Sequence, residues 1–124
     1  MPKFGRTNRM QTPWGMSQTM TKIAPGIYHV TTASHGGYLI GKRVARERLT
    51  QAAQEIGMEW NVWLAYEEDC AWAIVEYELL DVREWSVKRL AITDDELPRM
   101  FRRMVDTIKR YYYGYYRNTA IYGL

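Results

Sequence analysis

MSQTMTKIAPGIYHVTTA, residues 16–33, is the stretch that decides the fold class. Residues 16–23 alternate loosely and are rich in threonine, and residues 27–33 form a β-branched and aromatic run. Both patterns predict strands. Between them, Pro25 and Gly26 occupy the two central positions of a type II turn, where proline presets φ and glycine accepts the positive φ that follows. Ser34-His35-Gly36-Gly37 has turn chemistry again, and Tyr38-Leu39-Ile40 makes a short third strand. The expected core is therefore an antiparallel meander.

Helical spacing dominates farther along. Residues 42–56 put Ala45, Leu49, Ala52 and Ile56 on one face, with Gly57 as a stop. Residues 66–81 are ambiguous. As a helix they carry two nearly opposite apolar stripes, one through Tyr66, Cys70, Ala73, Ile74, Tyr77 and Leu80, the other through Trp72, Val75 and Leu79. As a strand they place Ala71, Ala73, Val75, Tyr77 and Leu79 on one face. Helix is the reading taken for the first part, with a switch to strand near Tyr77, and the second stripe then needs a cover from another helix or a second subunit. The last element is the clearest. Leu97, Met100, Phe101, Met104, Val105, Ile108, Tyr111, Tyr112 and Tyr115 share one arc of a wheel, and the basic residues occupy the other. Thr93 and Glu96 have capping-box spacing, and Pro98 falls where a first helical turn tolerates it.

A chain of 124 residues has room for one compact domain, and 47% hydrophobic with 25% charged residues is ordinary globular composition. The expected organisation is a flexible basic arm over 1–12 and a single α+β domain over 13–124: a small antiparallel meander packed against two to three helices, the C-terminal one long and amphipathic. No run of about 18 apolar residues predicts a membrane span, and the N-terminus lacks the apolar run of a signal peptide. One cysteine makes no internal disulfide, which suits a reducing cytoplasm. The net charge of +3 conceals segregation. Residues 1–50 carry +7, residues 51–98 carry −9 and residues 99–124 carry +5. Such blocks serve intramolecular pairing, association of two copies, or separate partners.

Thr12-Pro13-Trp14-Gly15, Ser34-His35-Gly36-Gly37-Tyr38 and Tyr66-Glu67-Glu68-Asp69-Cys70-Ala71-Trp72-Ala73 occur in this order. The ordered trio resembles a family of uncharacterised domains found in bacteriophage, plasmid and other mobile-element proteins, over about residues 12–80. The resemblance implies cargo acting in a bacterial cytoplasm, and it implies no activity. Beyond Leu80 the basic, tyrosine-rich helix departs from that pattern.

Three constellations bear on chemistry. His35 and Cys70, with Asp69, are the residue types of a Cys-His nucleophile, which needs a depressed thiol pKa and hydrogen-bond reach. Against that, Cys70 lies on an apolar stripe and His35 in a glycine-rich turn. His29, His35, Glu67, Glu68 and Asp69 are metal-ligand types without ligand spacing, so no metal and no cofactor is expected. Glu67, Glu68 and Asp69 instead suit a helix start or pairing with Arg43, Arg46 or Arg48. Gly36 and Gly37 do not form a phosphate cradle; they are expected to admit positive φ or a close approach by Trp14. Arg99, Arg102, Arg103, Lys109, Arg110 and Arg117, with Tyr113 and Tyr116, make a basic aromatic face suited to phosphates or to an acidic protein surface.

The function expected first is a binding protein that docks on, and inhibits by occlusion, a bacterial nucleic-acid-processing or defence complex, in the manner of anti-CRISPR or anti-restriction proteins. Its interface would be the basic helix, the acidic segment 67–84, or both, with Trp60, Trp63 or Trp85 as anchors. Direct binding of DNA or RNA through the basic helix is the alternative, and a small enzyme using His35 and Cys70 the third. No membrane partner is expected, and a homodimer is plausible if the stripe through Trp72 needs a second copy.

Overall fold

A computed structural model describes residues 9–119. The Pro25-Gly26 turn forms as expected, with Gly26 at φ +75°, and joins β3 (Thr19–Ala24) to β4 (Ile27–Thr31). These follow a small hairpin of β1 (Gln11–Thr12) and β2 (Gly15–Met16), closed by Thr12 Oγ1 donating to the Gly15 carbonyl at 2.7 Å. Of the basic arm expected over 1–12, residues 1–8 lie outside the described residues, whereas Gln11–Thr12 is paired.

β5 (Gly36–Gly41) completes the meander, and α1 (Lys42–Arg48) and α2 (Gln51–Ile56) follow. The chain then returns through β6 (Met58–Trp60) and β7 (Trp63–Glu67). The sheet is antiparallel throughout, in the order β3-β4-β5-β7-β6. α3 (Trp72–Glu78), α4 (Leu80–Arg89), a 3-10 turn (Asp94–Glu96), α5 (Leu97–Tyr111) and α6 (Tyr113–Asn118) finish the described chain, an α+β fold.

Strand alternation sends residues to two cores. Ile27, Tyr38, Ile40, Leu64 and Tyr66 face the helices, where they meet Ala45, Ala53, Ile74, Val75, Met104 and Ile108. Each fully buried Ile or Met there contributes about 1.5–3 kcal/mol. Met20, Tyr28, Val30, Leu39 and Ala65 face the other way, packed by Met10, Trp14 and Trp63. Trp14 comes so close that a Cβ on Gly37 would lie 2.8 Å from its ring, so the close approach expected for the two-glycine turn is present.

Several expectations need correction. The helix over 42–56 is two helices, because Leu49 is extended and Thr50 caps α2 by accepting from the Ala53 N–H. The Thr50 N–H that a continuous helix would use donates instead to Glu78 at 2.8 Å. Tyr66 and Glu67 are strand, not helix, since pairing with Tyr38 and Gly37 of β5 overrides the helical stripe. No strand begins near Tyr77: α3 runs to Glu78, Leu79 alone is extended, and α4 starts at Leu80. The second stripe is covered within the chain, with Val75 and Leu79 buried and the Arg103 guanidinium 5.5 Å over Trp72. The reason given for a second copy therefore falls away. The capping box of Thr93 and Glu96 is present and Pro98 sits in the first turn of α5. The apolar arc ends at Ile108, since Tyr112 breaks the helix and leaves Tyr111 exposed; Tyr115 is buried from α6.

Candidate functional site

β7 ends at Glu67, and the following turn needs its backbone donors satisfied before α3 begins. Glu67 supplies the acceptor: its Oε1 takes the N–H of Cys70 at 2.6 Å and of Ala71 at 2.7 Å. Glu67 is thus a capping residue, as the helix-start reading anticipated. Glu68 faces outward, with Oε1 3.6 Å from Nδ1 of exposed His35. The expected pairing of this acidic run with Arg43, Arg46 or Arg48 does not occur; Arg48 makes a two-pronged contact with Asp81 at 2.9 and 3.0 Å. Burial, then the charges of Glu67 and Asp69, push the Cys70 thiol above its ordinary value, opposite to what a nucleophile requires. Among the described residues, no three His, Cys, Asp or Glu side chains are grouped to hold a metal ion.

The basic residues of α5 converge on the same region. Arg99, Arg102, Arg103 and Arg110 line a shallow groove of about 450 Å³ with Asp69, Trp72, Asp106 and Tyr111. None of these arginines forms an ion pair among the described residues. Arg103 lies over Trp72, and Arg110 lies 5.4 Å over Tyr111. The groove therefore presents free guanidinium donors flanked by flat rings, and the fold does not consume the positive charge of this segment. Lys109 lies 5.7 Å from the Tyr116 ring, Tyr116 stacks with Tyr113 at 5.9 Å, and neither tyrosine nor the exposed Arg117 lines the groove. The expected face is thus divided, with Arg99, Arg102, Arg103, Lys109 and Arg110 on α5 and Tyr113, Tyr116 and Arg117 on α6.

Beside the groove is a pocket of about 440 Å³, walled by β4 and β5, the start of α3, the end of α4 and the start of α5. It shares Trp72, Arg99 and Arg103 with the groove and adds Arg89 at the rim. Glu76, 4% exposed, reaches it from α3. The Tyr38 hydroxyl donates to Glu76 Oε2 at 2.6 Å, while Oε1 has no hydrogen-bond partner among the described residues. Burial raises the Glu76 carboxyl above the usual range, opposed by hydrogen bonding from the Tyr38 and Ser86 hydroxyls and by the charges of Arg83 and Arg103. His29, packed on Tyr38 and Trp85, is pushed down to about 4 by burial and Arg89, so its ring is neutral at pH 7. Tyr38, Ser86, Arg89 and Glu76 were not candidates from sequence. One signal was there: Glu76 is a carboxylate inside the apolar run AIVEYELL, 73–80.

Comparison with known proteins gives no match among curated proteins and none among solved structures. A family model does match, over residues 7–121, nearly the whole chain and including the departure after Leu80. The chain belongs to that family, described as Domain of unknown function (DUF7007).

Proposed function

We propose that this protein is a binding protein of phage or other mobile-element origin, acting in the bacterial cytoplasm by docking on a host nucleic-acid-processing or defence complex and occluding it. One observation carries the reading: Arg99, Arg102, Arg103 and Arg110 line one groove without an ion pair among the described residues. Unpaired guanidinium groups flanked by Trp72 and Tyr111 are the chemistry of an interface with a polyanionic surface. The origin rests on the likeness of residues 12–15, 34–38 and 66–73 to mobile-element domains. The raised thiol of Cys70 speaks against the enzyme reading.

Direct binding of DNA or RNA is a second reading, favoured by the flat rings that alternate with the arginines and can stack on bases. Pull-down from bacterial lysate with wild type and Arg102→Glu/Arg110→Glu tests the first reading. Recovery of a nucleic-acid-processing complex by wild type alone supports it, and recovery of none under any salt condition ends it. Anisotropy with labelled DNA and RNA tests the second, which predicts affinity that falls steeply with salt.

A further inference from the structure

The pocket framed by Glu76 shares Trp72, Arg99 and Arg103 with the groove, but Tyr38, Glu76, Ser86 and Arg89 line the pocket alone, so a ligand there is a claim separate from docking. We propose that it is a binding site for a nucleoside monophosphate unit, with an N–H of the base donated to Glu76 Oε1 and the phosphate held by Arg89, Arg99 and Arg103. A buried acceptor without a partner is destabilising and uncommon in native proteins, so Oε1 calls for a donor from outside the chain. Tyr38 donates to Oε2 and the Ser86 hydroxyl stands at the same carboxyl, and Oε1 is the oxygen that has no hydrogen-bond partner among the described residues.

The kind of donor follows from the surroundings. Arg83 and Arg103 place positive potential at the carboxyl, which opposes an ammonium or guanidinium ligand and favours a neutral N–H. Trp72 and the uncharged ring of His29 are among the lining residues and make these walls aromatic, suited to a flat heterocycle. The lining also carries Glu68 and Glu96, but Arg89, Arg99 and Arg103 outnumber them, are exposed and form no ion pair among the described residues, so an anionic group meets guanidinium donors. A volume of about 440 Å³ accommodates a mononucleotide. The shared chemistry is the base with its phosphate, either free in solution or as the terminal nucleotide of a strand.

The test is calorimetric titration of the full chain with the four ribonucleoside 5′-monophosphates, with inorganic phosphate, and with a short 5′-phosphorylated oligonucleotide. At least one nucleotide, free or at the strand end, is expected to bind at least tenfold more tightly than phosphate. Glu76→Gln replaces the free acceptor by an N–H₂ donor and is expected to weaken that binding at least tenfold, while Arg102→Glu, outside the pocket, leaves mononucleotide binding within about twofold. A free mononucleotide that binds as well as the oligonucleotide identifies the free source, and binding by the oligonucleotide alone identifies the strand end. If Glu76→Gln does not fold, amide shift changes on titrating the wild type must centre on Tyr38, Glu76, Ser86 and Arg89. No binding at millimolar nucleotide overturns the proposal. So does equal affinity for phosphate, binding that Glu76→Gln leaves intact, or shift changes confined to the groove of Arg102 and Arg110. Loss of polyanion docking with this binding intact separates the two readings.

Discussion

The Tyr38 hydroxyl and the Glu76 carboxylate meet at 2.6 Å across 38 residues of chain, tying the central strand β5 to α3. The bond satisfies one oxygen of a carboxyl that the fold otherwise buries at a cost. Tyr38→Phe removes the 2.6 Å donor to Oε2 and leaves the buried carboxyl with Ser86 alone beside it, and is expected to cost about 2 kcal/mol in urea unfolding. Adding Glu76→Met to Tyr38→Phe is expected to recover part of that loss, because two apolar groups replace a stranded carboxyl. Additive losses in the double variant would show that the pair is not coupled.

Glu78 joins three parts of the chain. It accepts from the Thr50 N–H at 2.8 Å, from the Thr50 hydroxyl at 2.6 Å, and from the Tyr115 hydroxyl. Glu78→Ala is expected to cost roughly 2–3 kcal/mol, and Tyr115→Phe about 1 kcal/mol. Hydrogen exchange on Glu78→Ala should show the Thr50 and Ala53 amides losing protection first, since Thr50 both caps α2 and leans on Glu78. Protection unchanged at those amides contradicts the assignment.

Glu67 caps the turn into α3 through two backbone amides. Glu67→Ala removes the oxygen that accepts both amides and is expected to destabilise by about 1–2 kcal/mol, whereas Glu68→Ala, whose carboxylate meets exposed His35, shifts the unfolding midpoint little. Equal effects from the two substitutions would refute the capping role.

His29 predicts an acid-side loss of stability. Its folded pKa of about 4 lies below the ordinary histidine value of 6.5, so between those values the unfolded chain binds a proton that the folded chain does not. Stability from this residue therefore falls as pH drops from about 6.5 and is fully lost below about 4. Glu76 works in the opposite sense, because its raised pKa means the folded state gains stability as pH falls toward the ordinary 4.5. His29→Asn is expected to flatten the loss between pH 6.5 and 4 by roughly 2 kcal/mol, allowing for the partial exposure of the ring. Denaturation midpoints at pH 7, 5 and 4 check it, and an unchanged slope in the variant rejects it.

Local signals were legible because their causes are local. The Pro25-Gly26 turn, the strands beside it and the capping box from Thr93 to Glu96 depend on residues a few positions apart. Residues 66–67 were misread for the converse reason. Their helical stripe and their strand alternation are both real, and what decides between them is β5, whose Tyr38 pairs with Tyr66 from 28 positions away. Likewise Thr50 is a cap residue by type, but the apolar stripe runs through it unbroken, and Glu78, 28 positions on, completes the break between α1 and α2.

The candidate site divides along the same line. The α5 arginines and the acids 67–69 were visible as charge and type, and the structure brings Asp69 and Arg99, Arg102, Arg103 and Arg110 to one groove. Glu76, Tyr38, Ser86 and Arg89 come from three elements and acquire meaning only by meeting at one pocket. By itself the sequence determined the α+β class, the meander and the amphipathic basic helix, since periodicity and turn chemistry act over one or two turns of chain. Only the tertiary structure decided which charges are consumed and which stay free. That choice depends on distances between residues far apart in the chain, and it left Arg48 paired with Asp81, the α5 arginines without ion pairs among the described residues, and one oxygen of Glu76 buried without a partner.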